Sequence, residues 1–135
     1  GDDLSSAFLH GHSYTGNPIG CAAAIASIEL LEKESCLNRI QEIASQHQDF
    51  AKSIRNFPQL VGIRQTGTIL AMEFGSSNSG YHSNLKDKLY QHFLDDGILL
   101  RPLGNVLYIL PPYCITDQEL KQIYSSILSI LSSTK

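Results

Sequence analysis

The chain has 135 residues, enough for one domain with a core of its own. Its 42% hydrophobic and 17% charged residues describe a globular sequence and exclude a disordered tail. Ten lysines and arginines against 13 acids, a net charge of -3 and no basic run argue against nucleic-acid binding, which needs a concentrated positive face.

The first residues, Gly1-Asp2-Asp3-Leu4-Ser5-Ser6, lack an initiator methionine and run straight into Ala7-Phe8-Leu9-His10-Gly11. They read as the interior of a longer protein, so the expectation is a C-terminal fragment. Residues 8–15 have the mixed aromatic, histidine, glycine and hydroxyl character of a loop. Gly16-Asn17-Pro18 then marks a helix start: Asn17 can cap free amides, and Pro18 lacks the N–H that would go unpaired. The helix predicted from residue 19 to about 33 carries Ala22, Ala23, Ala24 and Ala26, which allow close packing on more than one side. In a fragment, that helix is expected to expose apolar surface. A second helix, about 37–56, places Leu37, Ile40, Ile43, Ala44, Phe50 and Ile54 on one broad face and ends at Phe57-Pro58.

Residues 61–74, interrupted by Gly62 and Gly67, read as a bent strand or two short strands. Gly75-Ser76-Ser77-Asn78-Ser79-Gly80 is a loop by composition. A helix over about 84–95 carries Leu85, Leu89, Phe93 and Leu94 and stops at Gly97. Strands at 98–101 and 106–110 follow, joined as a hairpin by Pro102-Leu103-Gly104-Asn105. Thr116-Asp117-Gln118-Glu119 has the form of a capping box before a last helix with Leu120, Ile123, Ile127, Leu128 and Leu131. The order predicts an α+β fold, a small and mainly antiparallel sheet covered by helices. There are no internal repeats.

Two segments carry candidate chemistry. Gly11-His12-Ser13-Tyr14-Thr15-Gly16, with hydroxyls and amides just before a helix, suits an anion such as phosphate. Many Gly/Ser loops precede helices without binding anything, so the loop alone leaves both readings open. Arg101, between two apolar runs and followed by Tyr108, Pro111, Pro112 and Tyr113, suits a small carboxylate through paired N–H bonds, or is a surface arginine at a strand end. His10 and His12 can chelate, but no third ligand is evident and no metal is expected. His47, His82 and His92 are scattered and read as solvent-facing, and no Ser-His-Asp or Cys-His constellation emerges. Arg64 reads as structural, and Cys114 as a small buried hydrophobe. The three cysteines, without CxxC spacing, read as reduced thiols. No apolar run reaches membrane-spanning length, and the expected location is the cytoplasm.

Taken together, Phe8-Leu9-His10-Gly11-His12-Ser13-Tyr14-Thr15-Gly16-Asn17-Pro18 with its alanine-rich helix resembles the stretch after the catalytic lysine in class III pyridoxal-phosphate aminotransferases. Arg101-Pro102-Leu103-Gly104 with Tyr108-Ile109-Leu110-Pro111-Pro112-Tyr113 resembles one branch of that class. That branch moves an amino group from S-adenosylmethionine to 8-amino-7-oxononanoate in biotin synthesis. The resemblance implies a fold type I enzyme that works as a homodimer with shared active sites and uses pyridoxal 5'-phosphate. Residues 1–18 would be the connecting loop from a large cofactor domain, and residues 19–135 the C-terminal small domain. Gly11 would contact substrate through its backbone. His12 and Ser13 would meet the cofactor phosphate in the partner subunit's site, and Arg101 would receive the acceptor's carboxylate. The family more often has Pro-Thr at the positions of His12 and Ser13; serine keeps the hydroxyl. No catalytic residue is expected within the chain, because the Schiff-base lysine would lie upstream. Two alternatives are another class III aminotransferase acting on an ω-amino acid, and a non-catalytic binding or dimerisation module.

Overall fold

A computed structural model describes residues 11–75 and 84–133. His10, His82, residues 76–80 and most of the expected 1–18 connecting loop lie outside the described residues. The chain divides into two compact units, the first ending at Cys36 and the second beginning at Leu37.

In the first unit, residues 12–17 form two successive turns, closed by Thr15 N to His12 O at 2.9 Å and Asn17 N to Tyr14 O at 3.1 Å. Gly16, at φ 74°, takes the left-handed position of the second turn, which glycine adopts without cost. Helix α1 (Pro18–Leu31) follows, with the Asn17 side chain accepting from Ile19 N at 3.1 Å and proline in the first turn. None of its residues is buried: Ile19, Ile25, Ile28, Leu30 and Leu31 are all exposed, which is the apolar surface expected of this helix.

The second unit holds nearly all of helix α2 (Glu34–Ile54), strands β1 (Leu60–Thr66) and β2 (Ile69–Phe74), helix α3 (Asn84–Asp95), strand β3 (Val106–Ile109) and helix α4 (Asp117–Ser133). The three strands form an antiparallel sheet in the order β1-β2-β3. Residues 61–74 are therefore two strands, reversing at Gly67-Thr68 with Gly67 at φ 54°. Leu70, Met72 and Phe74 alternate onto one face of β2, and Leu107 and Ile109 onto the same face of β3, opposite Met72 and Leu70. Phe50 and Ile54 of α2, Leu89 and Phe93 of α3, and Ile127 and Leu131 of α4 complete that core. Leu37, Leu94 and Leu128, expected to face the core, are exposed at the margins of their helices' apolar stripes.

The expected strand at 98–101 does not form. Gly97 ends α3 in a Schellman motif, with Ile98 N bonded to Phe93 O at 2.8 Å and Gly97 N to Leu94 O at 3.0 Å. Ile98 and Leu100 are buried and Leu99 is 72% exposed, so the alternation in the sequence is real. The hairpin turn is real as well: Leu103 and Val106 exchange both backbone bonds around Gly104-Asn105, with Gly104 at φ 61°. That pairing stops after one rung, at Pro102. Its ring holds φ near -65°, far from the value of about -140° of an antiparallel ladder.

Candidate functional site

The two candidate segments fall in different units, Gly11, His12 and Ser13 in the first and Arg101 in the second. Gly11 to Gly16 are all exposed. The His12 amide donates to Thr15 Oγ1 at 2.8 Å, a bond that the family's more usual proline at this position cannot make. The Ser13 hydroxyl has no hydrogen-bond partner among the described residues and stands just ahead of the α1 N-terminus. An exposed hydroxyl in a loop that leads into a helix N-terminus is a donor that fits a phosphate.

Arg101 is exposed and has no hydrogen-bond or ion-pair partner among the described residues. It lines an open cavity of about 600 Å³ with Lys86, Asp87 and Tyr90 of α3, Pro102, Leu103, and Tyr108 of β3. Pro102 is buried, and the adjoining one-rung hairpin fixes the backbone beside Arg101. Tyr108 lies on the sheet face opposite Leu107 and Ile109, which places it in this cavity and not in the core. Tyr113 does not join it. Ile115 N bonds Pro112 O at 3.0 Å, and this turn carries Tyr113 and Cys114 outward at its tip. Cys114 is therefore exposed, not buried as its sequence context suggested.

Two histidines also depart from expectation. His47 is wholly buried on α2, its Nδ1 2.7 Å from Tyr124 Oη and its Nε2 3.1 Å from Thr68 O. A carbonyl only accepts, so Nε2 carries the proton and Nδ1 accepts a hydrogen bond from the phenol O–H. Burial pushes the His47 pKa below its ordinary value and raises that of Tyr124. The signal that finds His47 is its spacing, since it falls between Ile43 and Phe50 on the stripe of α2.

His92 is partly buried and meets Ser126 and Asp96, residue types of a nucleophilic triad. The wiring excludes that use. Ser126 Oγ donates directly to Asp96 Oδ2 at 2.6 Å, and His92 Nε2 lies 3.0 Å from the Ser126 carbonyl. A triad needs the histidine between hydroxyl and acid; here the group ties α3 to α4.

A second node, missed from sequence, surrounds Arg39. Its guanidinium bonds Asp117 Oδ1 at 2.7 Å, Ile115 O at 2.6 Å and Glu42 Oε2 at 3.0 Å. Hydrogen bonds from Gln46 and then Arg39 hold the Asp117 carboxyl below its usual range. Arg64, read as structural, lies 3.6 Å from Glu73 across the sheet. No three His, Cys, Asp or Glu side chains are grouped to hold a metal ion among the described residues.

Residues 2–131 match the family described as Aminotransferase class-III. The chain belongs to this family. Among class III relatives, the adenosylmethionine-8-amino-7-oxononanoate aminotransferase of Synechococcus elongatus is 44% identical over 92% of this chain and 29% of its own length. The enzyme of the same name from Helicobacter pylori is 31% identical over 97% of this chain and 30% of its own. The chain thus spans about 30% of the length of the relatives it matches. The crystal structure of the Methanocaldococcus jannaschii adenosylmethionine-8-amino-7-oxononanoate aminotransferase superposes with a TM-score of 0.82 at 26% identity, over 92% of this chain and 30% of that one. An amine transaminase from an uncultivated Pseudomonas species reaches the same TM-score at 21% identity over the whole chain and 32% of its own. The α+β arrangement of four helices and a three-stranded antiparallel sheet is thus a part of the transaminase fold. No helix among the described residues is long and apolar enough to cross a membrane.

Proposed function

We propose that this chain is the C-terminal small domain, residues 19–135, with its connecting loop, of a cytoplasmic aminotransferase. That enzyme would move an amino group from S-adenosylmethionine to 8-amino-7-oxononanoate, giving 7,8-diaminononanoate for biotin synthesis. The observation that carries this reading is Arg101: a guanidinium with no partner among the described residues, lining an open cavity, in a chain whose relatives bear the name of that enzyme. A cation left free at a cavity wall retains its full capacity for a carboxylate, which it can grip by two parallel N–H bonds.

Bound pyridoxal 5'-phosphate supplies the electron sink for amino transfer. The chain's own residues bind and orient. His12 and Ser13, the latter through its hydroxyl, would meet the cofactor phosphate in the partner subunit of a homodimer, and Gly11 would contact substrate through its backbone. Arg101 would fix the acceptor by its carboxylate, a proximity role with no proton transfer at the guanidinium. The residues that make and break bonds to the amino group would lie in the rest of the protein.

The test is Arg101→Ala in the full-length enzyme, with KM measured separately for donor and acceptor. Loss of two charge-assisted bonds predicts a rise of about 100-fold in the acceptor KM, with the donor KM within about twofold. Equal losses toward both substrates would refute the role of Arg101. No 7,8-diaminononanoate from S-adenosylmethionine with the unaltered enzyme would leave another class III aminotransferase in its place.

A further inference from the structure

We propose that Lys86 and Tyr90 are the other half of the carboxylate receptor that Arg101 begins, so that the acceptor's carboxylate is gripped between residues 101–103 and the first half of α3. This inference rests on the reading of Arg101 given above. Lys86 and Tyr90 are four residues apart on α3 and therefore share a face of the helix. Both line the cavity that Arg101 lines. An ionised carboxylate offers about four lone-pair sites, and a guanidinium fork occupies two of them. An ammonium and a phenol hydroxyl from residues lining the same cavity would supply donors for the remainder. The Tyr90 hydroxyl has no hydrogen-bond partner among the described residues.

Asp87 lines the same cavity and sets its charge balance. Among the residues that line the cavity, Arg101 and Lys86 are cationic and Asp87 is the acid. A dicarboxylate would bring a second negative charge against Asp87. Both substrates carry one carboxylate, so the assignment of Lys86 and Tyr90 to the acceptor rests on Arg101, whose cavity they share.

The experiment uses the full-length holoenzyme with Lys86→Met, Lys86→Arg, Tyr90→Phe and, as reference, Arg101→Ala. KM is measured separately for 8-amino-7-oxononanoate and for S-adenosylmethionine. Lys86→Met is expected to raise the acceptor KM about tenfold and Tyr90→Phe about threefold, with kcat and the donor KM within about twofold. Lys86→Arg keeps the charge and should recover most of the loss. Raising the salt concentration should raise the acceptor KM less in Lys86→Met than in the unaltered enzyme, because one screened charge is gone. An acceptor KM unchanged by both α3 variants, while Arg101→Ala raises it, overturns this inference alone. Equal losses toward donor and acceptor in Lys86→Met overturn it too, because they mark a structural role. An acceptor KM unchanged in Arg101→Ala removes both readings together.

Discussion

The buried histidine on α2 makes stability depend on pH in a direction that the structure fixes. His47 is 0% exposed, accepts a hydrogen bond from the Tyr124 phenol and donates one to the Thr68 carbonyl. Tyr124 is itself held in place by stacking on Phe50, with ring centroids 4.1 Å apart. Protonating His47 would put a charge in that packed interior, and burial accordingly lowers its pKa below the ordinary 6.5. In the unfolded chain the same imidazole takes up a proton as the pH falls through about 6.5. Between that point and the lower folded pKa, the unfolded state holds one more proton than the native state. His47 therefore contributes stability that is fully present above the unfolded pKa and is lost as the pH falls. The loss can be no steeper than about 1.4 kcal/mol per pH unit, and it levels off below the folded pKa. The comparison is His47→Gln, whose amide can still donate to Thr68 but has no proton to gain. Its loss at pH 8 should be about 1–3 kcal/mol, because the Tyr124 hydroxyl is left buried without its acceptor. Urea unfolding of both proteins at steps between pH 8 and pH 5 gives the difference curve, in which the remaining histidines cancel. The gap between the two proteins should narrow below about pH 6.5. A gap that stays constant down to pH 5 refutes the reasoning.

Two further perturbations test the packing and the capping. Phe93→Ala empties a fully buried site in the core cluster and should cost about 3–5 kcal/mol by urea midpoint; a loss below about 1 kcal/mol would show that the core closes over the gap. Thr116 caps α4, its Oγ1 accepting from Glu119 N at 3.2 Å and its own amide donating to Glu119 Oε2 at 2.8 Å. Thr116→Ala should cost about 1 kcal/mol in the same assay, and no change would remove the capping box as a source of stability.

How far the sequence speaks for the fold depends on how local each determinant is. The Asn17 cap, the capping box of Thr116 and Glu119 and the Gly97 stop each lie within a few residues of the bonds they make, and all three are present. The segment at 98–101 shows the limit. Alternating burial there reports a side chain's surroundings, but strand pairing also needs backbone partners, and Pro102 ends the ladder. His47 shows another limit. A histidine on an apolar stripe is buried only if distant groups satisfy both nitrogens, and its partners Thr68 and Tyr124 lie 21 and 77 residues away in sequence. The candidate site divides in the same way. Arg101 stands out because prolines and glycine pin its neighbourhood, whereas Lys86, Asp87 and Tyr90 look like the polar face of any surface helix until α3 places them at one cavity.

The first unit makes the complementary case. A helix that is apolar on every side has the composition of a buried element, because no polar face remains to meet water. α1 has that composition, and yet every one of its residues is exposed. Composition and exposure agree once α1 is set in a protein of the relatives' length, of which this chain spans about 30%. The same property explains why the sequence of α1 gives no orientation. A helix with one apolar stripe names the face it buries, as α2 does through Ile43, Phe50 and Ile54. A helix without a stripe requires neighbours all around it and identifies none of them. Ser13, just ahead of that helix, shares the dependence: the phosphate contact proposed for its hydroxyl forms only where the surroundings of α1 bring a phosphate to it.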